Sequence, residues 1–414
     1  MSSQPNQTFN NLLIGSDCIS IHSHPIKNKI LCAEKDFEPG DIIFQEIAVT
    51  AIKLSNANNN DIHHSESTIF SAIIESLPIV PLARNLIYAA IHLTSLHSSK
   101  LDLIKCQHGN PLDKYLYFAP EGQAIAALTH YYFEIKKELS ISDLFSCSTI
   151  LDLLAIWMTN YSTAGSQYHA IYYYWSRMNH DCKPNTHHGT TGFTTVDNQT
   201  MPIRTVRAIQ KIHKGDELTI SYLVGETNFQ STQMRKDYLS LHYQFTCSCS
   251  RCSTENEIIS DALIYQYKTL EYQIHNNYQQ ISLNDLLTFK SKLSLNNWLY
   301  YSISQLICTV AADSSVDFDN NHYRTAVIEC ALQCVKHLRN IYLQSPDAPT
   351  NEYYSIFLAD KYEQLADFLP PSDSQKISSY KEAIKIRKIC QGKSKKIDNL
   401  NEEISQVKKT ASAN

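Results

Sequence analysis

Three short blocks carry the residue types that do chemistry. The first is Arg177-Met178-Asn179-His180-Asp181-Cys182-Lys183-Pro184-Asn185, where an amide, an imidazole and a thiol fall within four residues. The second, Gly215-Asp216-Glu217-Leu218-Thr219-Ile220-Ser221-Tyr222, is a turn running into a β-prone stretch that ends on a phenol. The third is Cys247-Ser248-Cys249-Ser250-Arg251-Cys252. Its C-x-C-x-x-C spacing brings three thiols close enough to share one ion if the loop curls. A closed structural zinc site needs four N or S ligands in a tetrahedron, so the fourth must come from elsewhere. Cys182 is the best candidate, because its polar neighbours suit a ligand better than a core cysteine. The competing reading is three ordinary reduced cysteines in a surface loop. Cys18, Cys32, Cys106, Cys147, Cys308, Cys330, Cys334 and Cys390 lie on apolar patterns and read as packing residues. We expect the three blocks to meet and form one active site with one zinc beside it.

Whole-chain properties bound what such a site belongs to. With 414 residues, 43% hydrophobic and 19% charged, the chain is long enough for two or three domains with sizeable cores. A net charge of −5 offers no basic field for nucleic acid or an anionic membrane. Residues 1–15 lack the basic and apolar regions of a signal peptide, and no apolar run nears the roughly 18 residues of a membrane span. Twelve cysteines without a secretory signal point to a reducing compartment, where closely spaced thiols hold metal more often than disulfides.

Around the blocks, two periodicities alternate. Ile30–Ala33, the turn Phe37-Glu38-Pro39-Gly40-Asp41, and Ile42–Phe44 with Ile47–Val49 read as a hairpin. Asn56–His64 is a low-complexity linker whose His63-His64 pair has no second ligand group nearby. From Ser67, apolar residues recur at helical spacing: Ile69, Ile73, Ile74, Leu77, then Leu82, Leu86, Ile87, Ala90, Leu93. Further helices are expected over 121–139 and 141–159, the second capped by Ser142 or Asp143. Strands return at 171–175, 192–196, 203–208 and 218–222. Beyond Cys252 the spacing predicts helices over 256–277, 283–312, 322–343, 351–369, 375–391 and 397–409. They are expected to stack as pairs in a small solenoid without a strict repeat.

These residues resemble the SET-domain lysine methyltransferases, and within them the SET-and-MYND group. The matching motifs are Asn179-His180-x-Cys182-x-Pro184-Asn185, Gly215-x-Glu217-Leu218-Thr219-Ile220-Ser221-Tyr222, Phe245-x-Cys247-x-Cys249-x-x-Cys252 and Phe37-x-Pro39-Gly40-Asp41-x-Ile43. The resemblance implies an α+β chain: a β-rich SET fold split by a helical insertion, a zinc-binding post-SET segment and an all-helical, TPR-like C-terminal domain. The corresponding boundaries are 1–50 and 160–225 for the SET halves, 51–66 for the linker, 67–159 for the insertion, 226–255 for post-SET and 256–414 for the helical domain. It also implies S-adenosylmethionine as methyl donor. Lys27, Lys29, Asn179, His180, Tyr222 and Phe245 would bind it. Tyr222 would sit at the methyl-transfer point, and Tyr243 would wall the lysine channel. Cys182 would join Cys247, Cys249 and Cys252 on one Zn2+. The segment ending at Tyr222 would thread near Asn179-His180. Methyl transfer from a sulfonium is an in-line displacement in which positioning carries most of the rate. A phenol with pKa about 10 is a poor bulk base, so Tyr222 is expected to orient rather than deprotonate.

The chain departs from that group in three places. Residues 51–66 are Asn-rich where the group has its MYND zinc module, so that module's partner surface is missing. The group's Gly-x-Gly-Leu is Asn28-Lys29-Ile30-Leu31. Asn28 tolerates positive φ but Ile30 does so poorly, which predicts weakened cofactor affinity. Lining elements before the Asn-His block read Asn160-Tyr161-Ser162 and Ala170-Ile171-Tyr172, leaving Asn160 and Tyr172 as lesser site candidates. The expected function is transfer of a methyl group to a lysine of a histone or other protein. The alternatives are a non-catalytic SET scaffold with a partner on its helical C-terminus, or a chaperone adaptor built on that domain. We expect a monomer in the cytoplasm or nucleus, with Lys393-Ser394-Lys395-Lys396 as a solvated helix end and no membrane or direct nucleic-acid contact.

Overall fold

The computed structural model describes residues 13–53, 81–107, 109, 119–138, 145–165, 167–254, 259–276, 282–294, 298–313, 321–343 and 354–413. The linker from Asn56 to His64, the periodic run Ile69–Leu77 and the cap candidates Ser142 and Asp143 lie outside these residues.

The hairpin expected between 30–33 and 42–49 does not form: β3 (Asn28–Ala33) pairs instead with the preceding β2 (Ile19–His24), with Ile19 opposite Ala33 and His24 opposite Asn28. The Pro39-Gly40 turn then leads into β4 (Ile42–Ile47). Gly40 takes φ 98, which only glycine adopts without strain, and its N–H donates to the Ala208 carbonyl at 2.8 Å. β4 is internal to an antiparallel sheet ordered β1–β4–β10–β9, with β1 at Leu13–Ile14, β9 at Thr186–Val196 and β10 at Gln199–Ala208. The expected strands 192–196 and 203–208 are thus parts of one long hairpin. Asp197 (φ 51) and Asn198 (φ 61) form its tip, both in the left-handed region that tight hairpins favour.

A second sheet joins β5 (Thr50–Lys53), β7 (Tyr168–Ile171) and β6 (Ser162–Ala164) in the order β5–β7–β6. Two expectations are corrected here. Residues 51–53 are strand rather than linker. The strand expected over 171–175 ends at Ile171, because the buried Glu46 carboxylate accepts the N–H groups of Tyr173, Tyr174 and Trp175 at 2.5, 2.9 and 3.0 Å. Those donors are therefore lost to any sheet ladder, and the chain turns.

The insertion is helical as expected, over 81–94, 98–105, 119–130, 132–138 and 147–160. The last helix is capped by Ser146, whose Oγ accepts the Thr149 N–H at 3.1 Å. Leu154, Trp157 and Ile87 pack in its core with Ile52 and Ile171 of the second sheet.

Beyond the cysteines, helices span 261–276, 283–290, 298–313, 321–343, 356–368, 374–391 and 395–413. The single helix expected over 283–312 is two. Tight i−3 turns end the first, with Lys292 N–H on Phe289 and Leu293 N–H on Lys290, both at 3.1 Å. From 283 onward, consecutive helices pack on one another. Their core also takes Ile209 and Phe229 from the β-rich half, and the Tyr354 N–H donates to the Ile209 carbonyl at 2.9 Å. At the same junction the Arg207 guanidinium donates to the Gly40 carbonyl at 2.9 Å and fills the space a side chain at Gly392 would need. No described helix is long and apolar enough to cross a membrane.

Candidate functional site

The site begins with a parallel pairing of two short segments distant in sequence. β8 (Asn179–His180) lies beside β11 (Thr219–Ile220), with Asn179 opposite Thr219 and His180 opposite Ile220. Two residues of ladder cannot hold this alone. Asn185 supplies the rest: its Oδ1 accepts the Thr219 N–H at 2.8 Å and the Thr219 hydroxyl at 3.1 Å, and its Nδ2 donates to the Glu217 carbonyl at 2.8 Å. Thr186 adds a hydroxyl bond to the Thr219 carbonyl at 2.7 Å. β3 closes the other side, with Leu218 N–H on the Leu31 carbonyl at 2.7 Å and Cys32 bridged to Glu217.

This framework aims Tyr222 inward. Its hydroxyl donates to the Met178 carbonyl at 2.8 Å. Its ring lies 4.8 Å from Tyr243, 5.5 Å from His180 and 6.3 Å edge-on from Phe245. Burial pushes the phenol well above its ordinary value, and Tyr243 and Glu217 push it further the same way. Tyr222 therefore stays protonated at any physiological pH. Tyr243 ends the helix Thr232–Tyr243, and Gln244 at φ 60 turns the chain toward Phe245 and the cysteines.

The four predicted ligands converge. The sulfurs of Cys182, Cys247, Cys249 and Cys252 all lie within 4.8 Å of one another, with Cys182 at 3.5 Å from Cys252 and 3.9 Å from Cys247. Four ligands on 2.3 Å bonds to a tetrahedral zinc have sulfur–sulfur edges of about 3.8 Å, so the donor set fits that ion. Four thiolates around Zn2+ leave an excess negative charge, and two donors face it. The fully buried Arg235 donates from Nη2 to Cys252 Sγ at 3.6 Å. His180 Nε2 lies 3.2 Å from Cys182 Sγ. Because His180 Nδ1 accepts the Tyr222 N–H at 3.0 Å, the ring proton sits on Nε2 and points at the sulfur. Burial lowers this imidazole to about 4, consistent with a neutral ring. One histidine thus links the cysteine cluster to the backbone of Tyr222.

The remaining predicted residues divide. Lys27 pairs through Nζ with Glu217 Oε2, and Asn179 Nδ2 donates to Glu217 Oε1 and to the Lys29 carbonyl, both at 2.9 Å. Lys29 reaches this patch by its carbonyl only; its ammonium rests on Ser23 Oγ at 2.9 Å. Phe245 flanks His180 at 5.9 Å between ring centres. Asn28 has φ 63, while Ile30 is an ordinary strand residue opposite His22. The backbone strain expected at Ile30 is absent, while its Cβ remains where the related group has a glycine that lets the cofactor approach. Asn160 and Tyr172 are drawn into the framework: Asn160 bonds its own helix at Ile156, and buried Tyr172 stacks under the Arg204 guanidinium. Asn185, Glu217, Glu46 and Arg235 carry roles the sequence did not disclose. A polar side chain's partner lies 30 to 130 residues away in most of these cases; Asn185 and Glu217 were visible only as members of motifs, and Glu46 and Arg235 not at all.

Residues 28–223 match the family model described as SET domain. Histone-lysine N-methyltransferase set5 of Schizosaccharomyces pombe is 34% identical over 97 residues, 23% of this chain and 27% of that protein. N-lysine methyltransferase SMYD2 of Bos taurus is 32% identical over 177 residues, 40% of this chain and 31% of that protein. The chain therefore spans about a third or less of the length of these relatives. Among solved structures, the SET domain of LSMT bound to lysine and AdoHcy aligns over 97% of this chain and 90% of that one, at 13% identity and a TM-score of 0.35.

Proposed function

We propose that this SMYD-like SET-domain protein is a protein-lysine N-methyltransferase that uses S-adenosylmethionine and holds one structural zinc. The observation that carries the reading is the Tyr222 phenol, fixed on the Met178 carbonyl among Tyr243, His180 and Phe245, inside the matched domain. Bound S-adenosylmethionine would supply an electrophilic methyl on sulfonium. This chain's residues do the rest. Lys27, Asn179, His180 and Phe245 form one continuous wall, charged at one end and aromatic at the other, that suits an amino-acid tail and a purine. The aromatic surroundings of Tyr222 and Tyr243 disfavour an ammonium, so an entering lysine gives up its proton to solvent more readily. The Tyr222 hydroxyl, its proton engaged with Met178, has lone pairs left that would accept from an amine N–H and, through weak C–H···O contacts, from a methyl group. Zinc on Cys182, Cys247, Cys249 and Cys252 would hold Tyr243 and Phe245 against that centre.

The stacked helices after Cys252 fit a TPR-like domain offering a surface to a protein partner, and a monomer in the cytoplasm or nucleus remains our reading. The non-catalytic scaffold is the second reading; it rests on the side chains of Asn28 and Ile30 where the related group has glycines, and the φ 63 at Asn28 shows that the backbone there keeps a glycine-like conformation. Calorimetry of zinc-replete protein with S-adenosylmethionine, followed by labelled-methyl incorporation into a lysine-containing protein pool, tests the proposal. Binding with incorporation, the latter lost in Tyr222→Phe, is expected. No heat at millimolar cofactor would sink it.

A further inference from the structure

Glu217 is an acidic side chain at the centre of the site that the reading above leaves without a task. Its backbone is clamped, by Asn185 Nδ2 on its carbonyl at 2.8 Å and by the bridge to Cys32. Its side chain is the junction of two segments. Oε2 pairs with Lys27 in the β2–β3 turn, and Oε1 accepts from Asn179 Nδ2 at 2.9 Å on β8. The pair is accessible: the side chains of Lys27 and Glu217 keep 40% and 21% of their exposure. A fixed carboxylate and a mobile ammonium held side by side are complementary to a ligand carrying the opposite two charges side by side. The α-amino-acid group is such a ligand, an ammonium and a carboxylate on one carbon.

We infer that Glu217 binds the α-ammonium of the cofactor's amino-acid tail while Lys27 turns from Glu217 to its α-carboxylate. The inference rests on the function proposed above. Binding exchanges one ion pair for two, with no net change of charge in the site. The Lys27–Glu217 pair is then a placeholder that keeps each group paired and aimed. Asn179, bonded to both Glu217 and the Lys29 carbonyl, keeps the carboxylate from following the lysine.

Three ligands separate the two charges: S-adenosylmethionine, its decarboxylated analogue, which keeps only the amine, and 5′-methylthioadenosine, which lacks both groups. Each is titrated calorimetrically into the zinc-loaded full chain, its Glu217→Gln variant and its Lys27→Met variant. Glu217→Gln should weaken S-adenosylmethionine and the decarboxylated analogue by about tenfold or more, the loss of one bond to a charged group, and leave methylthioadenosine unchanged. Lys27→Met should weaken S-adenosylmethionine alone. An equal loss for all three ligands in Glu217→Gln, or no loss for any, overturns the assignment. Should Glu217→Gln fail to fold, Lys27→Met, in an exposed turn, decides: equal weakening of both amine-bearing ligands overturns it. If the wild-type chain binds none of the three, the methyltransferase reading itself fails, and this inference with it.

Discussion

Replacing His180 with alanine removes two hydrogen bonds that point in opposite directions from one ring. Nε2–H to Cys182 Sγ, at 3.2 Å, is a bond to a thiolate when zinc is bound, worth about 1.5–3 kcal/mol. The Tyr222 N–H to Nδ1 bond, at 3.0 Å, is neutral and worth about 1 kcal/mol. The first acts on the metal. At 1.4 kcal/mol per decade it corresponds to roughly a 10- to 100-fold loss of zinc affinity, the range found when a group behind a ligand is removed. The second acts on the placement of Tyr222. Competition for zinc between the protein and a chromophoric chelator, run on wild type and His180→Ala, measures the first directly. Calorimetry with S-adenosylmethionine at saturating zinc then reads the second together with the ring's own contact to the cofactor. Cys182→Ser provides the upper limit, since it removes the ligand itself. Wild-type zinc affinity in His180→Ala would refute the bridge and leave the ring as packing only.

Further outcomes follow from the same framework. Asn185→Ala removes three side-chain bonds to Glu217 and Thr219. At about 1 kcal/mol each it should destabilise the chain by roughly 3 kcal/mol in urea unfolding, while Asn185→Asp keeps the Oδ1 acceptor and loses less. Glu46→Ala strands the N–H groups of Tyr173, Tyr174 and Trp175, and should cost about 3 kcal/mol or more in the same assay. Burial lowers His187 to about 4 and His188 well below its ordinary value. His187 therefore takes up a proton only on unfolding between about 4 and the ordinary value near 6.5, and His188 acts in the same direction. Melting temperature should accordingly fall as pH drops through that window, and His187→Gln should flatten the fall.

Motif spacing carried much of the site. The cysteine set, the Asn-His pair and Tyr222 were legible because each motif is local and its chemistry follows from residue type. Two strands of the long hairpin and most helices were legible from β-branched content and helical spacing, whereas the pairing of those strands was not. Failures came where a distant polar group overrode a local pattern. Nothing in Ile171–Trp175 announces that Glu46, 127 to 129 residues earlier, takes its donors. The backbone strain expected at Ile30 is absent because the residue pairs with His22 as an ordinary strand position. Glu217 looked like one acidic residue of a turn until Lys27 and Asn179 were seen to meet on it.

The parallel pair of Asn179–His180 with Thr219–Ile220 also sets an order of assembly. A chain made from its N-terminus presents Asn179 some 40 residues before its partner strand, and Cys182 is separated from Cys252 by 70. Contacts at such separation pay their closure entropy before they gain anything. In the zinc-holding protein proposed above, the metal could close its ring only when residue 252 has emerged, so zinc loading would belong to the end of folding of this half. Until then Tyr222 lacks Tyr243 and Phe245, and a nascent chain that stalls before the cysteines holds the Asn-His segment and Tyr222 but no working site.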